Sequence, residues 1–334
     1  MVLTPGKLAG LKAISNSQGV VAALALDQRG IVSKAIANER GTEEVPSPVV
    51  VEFKEIVTEV LAKHASSILL DPEYGLPAAK LRGPAGLMIA YERSSYYAAP
   101  PRLPELYETW SVRRLKEAGA DCIKILLHYV PFDVPAINEQ KHAWVERIGD
   151  ECRANDIPFV LELLGYDPAG GDGKNLGFAK AKPQIVIQSV KEFSKDRYGV
   201  DLLKIEVPVI MKHVPGTSAY SGEQAYTVAE AQQYFRETSA ATSKPFVYLS
   251  AGVSNAEFIE TLKFVTESGA TYNGVLCGRA TWQDGLVIYA RHGVKALEQW
   301  LATTGVENIS RVNEALKAVE PLSERIATPA LTAH

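Results

Sequence analysis

The chain has 334 residues, 46% of them hydrophobic and 22% charged, with 35 Lys and Arg against 39 Asp and Glu for a formal net charge of -4. That length suits two domains or one large α/β barrel, and the near-balanced charge, spread along the whole chain, argues against a nucleic-acid partner. The opening "MVLTPGKLAG" lacks the basic and apolar regions of a secretory signal, and no apolar run has bilayer length. A cytoplasmic protein with no membrane partner is the expectation.

Apolar runs of about four to eight residues recur between amphipathic stretches, the pattern of βα units around a parallel sheet. The first four are "VVAALALD" ending at Asp27, "SSILLD" at Asp71, "GLMIAYE" at Glu92 and "DCIKILLHY" at Tyr129. The second four are "IPFVLELL" at Leu164, "DLLKIEVP" at Pro208, "PFVYLSAG" at Gly252 and "YNGVLCGR" at Arg279. Two intervening helices are readable from their apolar faces and glycine stops: 103–120 with Leu106, Trp110, Val112 and Leu115, and 256–270 with Phe258, Leu262 and Val265. Between the second and third runs, "PEYGLPAAKLRGP" holds too much Gly and Pro for a full helix.

Eight alternations predict one closed (β/α)8 TIM barrel as a single domain spanning 1–334. Roughly the first 19 and the last 50 residues exceed what the barrel needs and are expected to be helical additions packed on it. The loops at 165–183 and 209–227 follow the fifth and sixth strands, which puts them at the catalytic rim as lids. Cys122, Cys152 and Cys277 form no CxxC pair and read as reduced core thiols.

Parallel barrel strands are buried on both faces, so a charge within one needs a partner or a task. Here Lys124, Glu162 and Lys204 interrupt runs four, five and six at similar depths, Asp27 and Ser250 close runs one and seven, and Arg279 follows run eight. Period-two alternation turns Leu203, Ile205 and Val207 toward the helices and leaves Lys204 and Glu206 pointing into the barrel, with Glu162 inward on the neighbouring strand. A buried ion-pair network that merely joins strands is the competing reading. It is poorly motivated, because apolar replacements often stabilise at least as well.

The cluster suits covalent catalysis by an amine. A buried lysine beside a second cation loses its proton more easily, through desolvation and like-charge repulsion, and a neutral amine adds to a ketone to give a Schiff base. Lys204 is then the nucleophile with Lys124 beside it, Glu162 the acid/base of carbinolamine dehydration, and Asp27 the base for the hydroxyl at the cleaved bond. Glu206, on the parity argument, is the counter-charge of Lys124. Strands seven and eight end in "SAGVS" (250–254) and "CGRAT" (277–281), where barrels often build phosphate sites. Gly252 and Gly278 permit close backbone approach to an anion and Arg279 supplies a donor fork; tight strand-to-helix turns are the plainer use of both glycines.

"LALDQRG", "SSILLDPEYGLPAA", "RLKEAGAD", "EVPV", "YLSAGVS" and "NGVLCGRATW" closely resemble the bacterial class I tagatose-1,6-bisphosphate aldolases, over about residues 1–310. The resemblance implies a (β/α)8 barrel lyase that splits a ketose 1,6-bisphosphate into dihydroxyacetone phosphate and glyceraldehyde 3-phosphate with neither metal nor cofactor. It implies Lys204 as the Schiff-base lysine, Glu162 as acid/base, Lys124 as auxiliary lysine and Asp27 as the first-strand carboxylate. Gln28 then contacts substrate, and Ser250 and Arg279 surround the C1 phosphate. "LLHYVPFDVPAINEQKHAW", "RSSYYAAPPRLPE" and the 165–183 loop depart from the pattern, and these segments would meet the distal half of the sugar.

A zinc-dependent aldolase would need clustered histidines, which His64, His128, His142, His213, His292 and His334 do not supply. A Schiff-base aldolase for another anionic ketose would share every chemical residue, and a phosphosugar-sensing regulatory barrel would be expected to have lost one. Asp71 and Glu73 in "DPEYG" read as a turn, with Asp71 bonding nearby backbone N–H groups, rather than as a metal pair. Trp110 and Trp144 read as helix-face core residues, or as aromatics serving a homo-oligomer interface.

Overall fold

Each apolar run forms a strand in the computed structural model, which describes residues 3–93, 100–168, 173 and 175–326. The strands are β1 Val21–Ala25, β2 Ser67–Leu70, β3 Gly86–Ala90, β4 Cys122–His128, β5 Phe159–Leu164, β6 Leu202–Ile205, β7 Phe246–Leu249 and β8 Gly274–Cys277. All neighbouring pairs are parallel, and β1 pairs with β8 to close the barrel. The helices are α1 Pro5–Ala13, α2 Gly30–Arg40, α3 Ser47–Leu61, α4 Val112–Glu117, α5 Pro135–Ala154 and α6 Leu176–Phe193. They continue as α7 Val228–Ala240, α8 Asn255–Ser268, α9 Arg279–His292, α10 Val294–Trp300 and α11 Val306–Ala315.

Strand alternation divides the core into two shells. Leu161, Leu203 and Ile205 join the large cluster between sheet and helices, while Val160 and Leu202 join a smaller cluster inside the barrel with Leu69, Met88 and Cys122. Leu11 and Ile14 around α1, with Leu322 and Ile326 from the C-terminal segment, cap that inner cluster. Helix α1 comes so close to the strand entrances that a β-carbon on Gly10 would sit 2.3 Å from the Asp121 carbonyl oxygen. Each fully buried Leu or Met of this floor contributes about 1.5–3 kcal/mol. The floor must offset the desolvation of the charged layer above it.

Two local expectations change. The 103–120 helix shrinks to α4: Ser111 caps it by accepting from the Arg114 N–H, while Leu106 forms an antiparallel bridge with Glu92. Residues upstream of Ser111 are thereby held as an extended return to the β3 edge. The 165–183 loop is shorter than expected, because α6 starts at Leu176 and carries Pro183 inside it. Proline gives no N–H to the carbonyl four residues back, and the Tyr226 hydroxyl donates to that Ala179 oxygen instead. The segments 94–99, 169–172 and 174 of the divergent loops, and His334, lie outside the described residues. Trp110 and Trp144 are partly buried against the outer core.

Candidate active site

The C-terminal ends of the strands surround a cavity of about 800 Å³. Asp27, Gln28, Glu162, Lys204, Ser250, Gly252, Gly278 and Arg279 all line it. Lys124 does not; it lies fully buried behind the wall. Strand register explains its depth. Glu162 is paired with Lys204, whereas Lys124 is paired with Val160, two residues lower on β5. The similar depth expected of the three is therefore corrected for Lys124, which reaches the layer of the others with its long side chain.

At the centre, Glu162 Oε2 lies 2.8 Å from Lys204 Nζ and 2.7 Å from Lys124 Nζ. Lys124 Nζ also donates to Asp27 Oδ2 at 2.7 Å and to Glu92 Oε1 at 3.0 Å. Burial alone would lower the Lys124 pKa, but Asp27, Glu162 and Glu92 together raise it above the ordinary lysine range. The three carboxylates thus favour the ammonium form of Lys124. Burial pushes Asp27 up, yet the charges of Lys124 and Lys204, the Lys124 hydrogen bond and Arg29 outweigh it and hold Asp27 well below the usual carboxylate range. Glu92 is the opposite case, raised because burial exceeds the pull of Lys124 and Arg29.

Glu206 is not the partner of Lys124. It pairs with Lys182 of α6 at 3.2 Å and accepts from the Gly165 N–H at 2.7 Å. Parity correctly turned it inward but did not reveal that a helix residue reaches over the strand to meet it. Lys124 is instead neutralised by Asp27, Glu162 and Glu92, the last of which sequence reasoning took only as a strand end.

Glu92 opens onto a second network that was also missed. Arg29 donates from Nη1 to the Glu92 carbonyl at 2.8 Å and to the Tyr107 hydroxyl at 2.6 Å, and from Nη2 to Glu92 Oε1 at 3.3 Å. The Tyr107 hydroxyl donates to Glu73 Oε2 at 2.8 Å. Asp71 accepts the N–H groups of Glu73 and Tyr74 at 3.0 and 2.8 Å, as expected for a turn, and forms a fully buried ion pair with Lys54. Lys54 also donates to the Leu26 carbonyl at 2.8 Å, which fixes the backbone directly before Asp27. A charge at Arg29, two residues after Asp27 in "LALDQRG", was the available signal.

At the β7 and β8 ends, Gly252 has φ +77°, and a β-carbon there would sit 2.6 Å from Arg279 Cζ. The glycine therefore makes both the turn and the space for the guanidinium. Gly278 caps α9, and a β-carbon there would meet the Ala25 carbonyl oxygen at 2.6 Å. Gln28 Oε1 is buried with no hydrogen-bond partner among the described residues, an acceptor left facing the cavity. Among the described residues no group of three or more His, Cys, Asp or Glu converges as a metal site. Cys122, Cys152 and Cys277 are buried free thiols, and burial pushes Cys277 up to about 12.

An ammonium held by carboxylates, a second lysine sharing one of them, and a guanidinium beside a glycine turn form a site for Schiff-base chemistry on an anionic carbonyl compound. The sequence profile of the DeoC/LacD family aldolases matches residues 21–284. A tagatose 1,6-diphosphate aldolase of Enterococcus faecalis is 50% identical over 321 residues, covering 95% of this chain and 96% of that one. One from Listeria monocytogenes is 49% identical over 94% of this chain and 92% of its own length. One from Staphylococcus aureus is 49% identical, covering 93% and 95%. The fructose-bisphosphate aldolase of Plasmodium falciparum shares the fold with a TM-score of 0.68 at 15% identity, covering 94% of this chain and 96% of that one. A Schiff-base-forming fructose-1,6-bisphosphate aldolase does so with a TM-score of 0.54 at 16% identity, covering 88% and 98%. The chain belongs to the DeoC/LacD family of aldolases, and is accordingly a lyase.

Proposed function

We propose that the protein is a metal-independent class I aldolase that cleaves D-tagatose 1,6-bisphosphate to dihydroxyacetone phosphate and D-glyceraldehyde 3-phosphate through a Schiff base on Lys204. D-Fructose 1,6-bisphosphate, its C4 epimer, is the second substrate of this reading. The observation that carries it is the single Glu162 oxygen held between Lys204 and Lys124. The near-full-length relatives named for tagatose 1,6-diphosphate support the substrate. The reading treats the chain as one barrel unit with helical additions at both ends, working in the cytoplasm where sugar phosphates are found. No helix of the described residues is long and apolar enough to cross a membrane.

Lys204 passes its proton to Glu162, whose Oε2 lies 2.8 Å from its Nζ. The free amine adds to C2 of the ketose, and Glu162 returns the proton to the carbinolamine oxygen, which leaves as water. The resulting iminium draws electrons from the C3–C4 bond. As that bond breaks, the C4 hydroxyl becomes a protonated aldehyde, a stronger acid than any carboxylic acid, so even the weakly basic Asp27 accepts its proton. After the aldehyde departs, the enamine takes at C3 the proton held by Asp27, and water hydrolyses the resulting iminium from Lys204, releasing dihydroxyacetone phosphate. Arg279, Ser250 and the backbone around Gly252 and Gly278 hold the C1 phosphate end, and Gln28 contacts the sugar.

Steady-state kinetics on both bisphosphates, with and without a strong chelator, tests the reading. Chelator-resistant cleavage of the tagatose ester is expected. Cleavage abolished by chelator and restored by a divalent ion would overturn it.

A further inference from the structure

Lys54 is a fully buried lysine on α3, outside the barrel, and the proposed reaction gives it no task. It forms an ion pair with Asp71, which is fully buried too. Burial outweighs the attraction of Asp71 and lowers the Lys54 pKa, so its charge is costly to keep. Apolar side chains in place of such a pair are often neutral or stabilising. What distinguishes this ammonium is its second bond, to the Leu26 carbonyl at 2.8 Å.

That carbonyl lies one residue past the end of β1 and one before Asp27. The preceding carbonyl, of Ala25, accepts from the Trp282 indole N–H of α9 at 3.0 Å. The two donors are braced together, since Trp282 meets Phe53, the neighbour of Lys54, edge to face with ring centroids 5.9 Å apart. On the far side of Asp27, Arg29 is anchored to the Glu92 carbonyl at 2.8 Å. Asp27 itself commits Oδ2 to Lys124 at 2.7 Å. An aspartate has only two side-chain torsions, so the place of its other oxygen follows the backbone that carries it.

We infer that Lys54 is a positioning residue for Asp27: through the Leu26 carbonyl it aims the carboxylate at the hydroxyl whose proton is lost as the carbon–carbon bond breaks. Asp71 offsets part of the burial and holds the ammonium in place. The inference rests on the aldolase reading and deepens it, for it confines the effect of Lys54 to the steps that Asp27 serves. Glu162 stands on β5, opposite β1 in the closed ring, and Lys204 beside it on β6, so the iminium forms without Lys54.

Two double variants test the inference. Lys54→Met/Asp71→Asn removes both charges while leaving an acceptor for the Glu73 and Tyr74 N–H groups. Lys54→Gln/Asp71→Asn restores a neutral donor. Borohydride trapping of dihydroxyacetone phosphate on Lys204 is expected at the wild-type rate in both. Single-turnover cleavage of tagatose 1,6-bisphosphate should fall about 10- to 100-fold in the first, the weight of a misplacement near 1 Å, and by less in the second. A crystal structure of the first should show the Asp27 carboxylate displaced by about 1 Å. Wild-type cleavage in the first variant, equal slowing in both, or an unmoved Asp27 overturns the inference. So does trapping lost together with cleavage, which reduces the ion pair to a structural role. If the wild type cleaves neither bisphosphate while Asp27 still shifts in the first variant, the positioning stands and the proposed reaction falls.

Discussion

Lys204 and Glu162 are register partners on adjacent strands, with Nζ and Oε2 only 2.8 Å apart inside the barrel. Proton transfer between them needs no rotation of either backbone, and it leaves an amine where a ketone carbon can reach it. Borohydride added with dihydroxyacetone phosphate is expected to trap a covalent adduct on Lys204, read by peptide mass spectrometry; an adduct on Lys124 would exchange the two roles. Glu162→Gln should slow cleavage by roughly 10²–10⁴-fold, the range for loss of a general acid/base. Unchanged single-turnover rates in that variant would remove Glu162 from the mechanism.

Gly252→Ala makes a separate prediction at the other end of the substrate. The new β-carbon must displace the Arg279 guanidinium, since it would lie 2.6 Å from Cζ, at a backbone φ of +77°. Left-handed backbone at a residue with a side chain costs about 1–2 kcal/mol. We expect weaker binding of dihydroxyacetone phosphate by calorimetry and a lower melting temperature. Wild-type affinity in this variant would show that Arg279 does not hold the phosphate.

Lys141 supplies a pH dependence with a definite sign. Burial, with Arg102 nearby, lowers it from 10.5 to about 8 despite Asp133. Between those two values the unfolded chain binds the proton more readily than the folded one, so this residue makes stability rise with pH. The unfolding free energy of the wild type minus that of Lys141→Met should therefore increase from pH 8 toward 10.5 and level off below 8. A flat difference in urea titrations across that range would show that burial does not lower the Lys141 ammonium in the folded protein.

The barrel and much of the site were legible because charge is conspicuous on strands that are apolar on both faces. Lys124, Glu162 and Lys204 announce themselves in that setting, and alternation assigns Lys204 to the interior with Leu202. What could not be read was contact across elements. Glu92 looks like a strand terminus until β3 is laid beside β4, when it becomes one of three carboxylates on Lys124. Lys54 lies on α3, where nothing in its helical spacing indicates that it reaches Asp71 and the Leu26 carbonyl. Periodicity extended α4 too far upstream, because Leu106 serves a bridge to Glu92 rather than a helical face. Arg102 sits in a segment without periodicity, and nothing in its spacing shows that it lines the cavity.

The plug formed by α1 with Leu322 and Ile326 under the inner apolar cluster has a kinetic consequence. A tunnel would let the two halves of a cleaved sugar depart by different doors, but a blind well imposes last in, first out. On the proposed mechanism the fragment not bonded to Lys204 leaves first, and in the synthetic direction the ketone arrives before the aldehyde. Ordered traffic is thus written into a helix that touches no substrate.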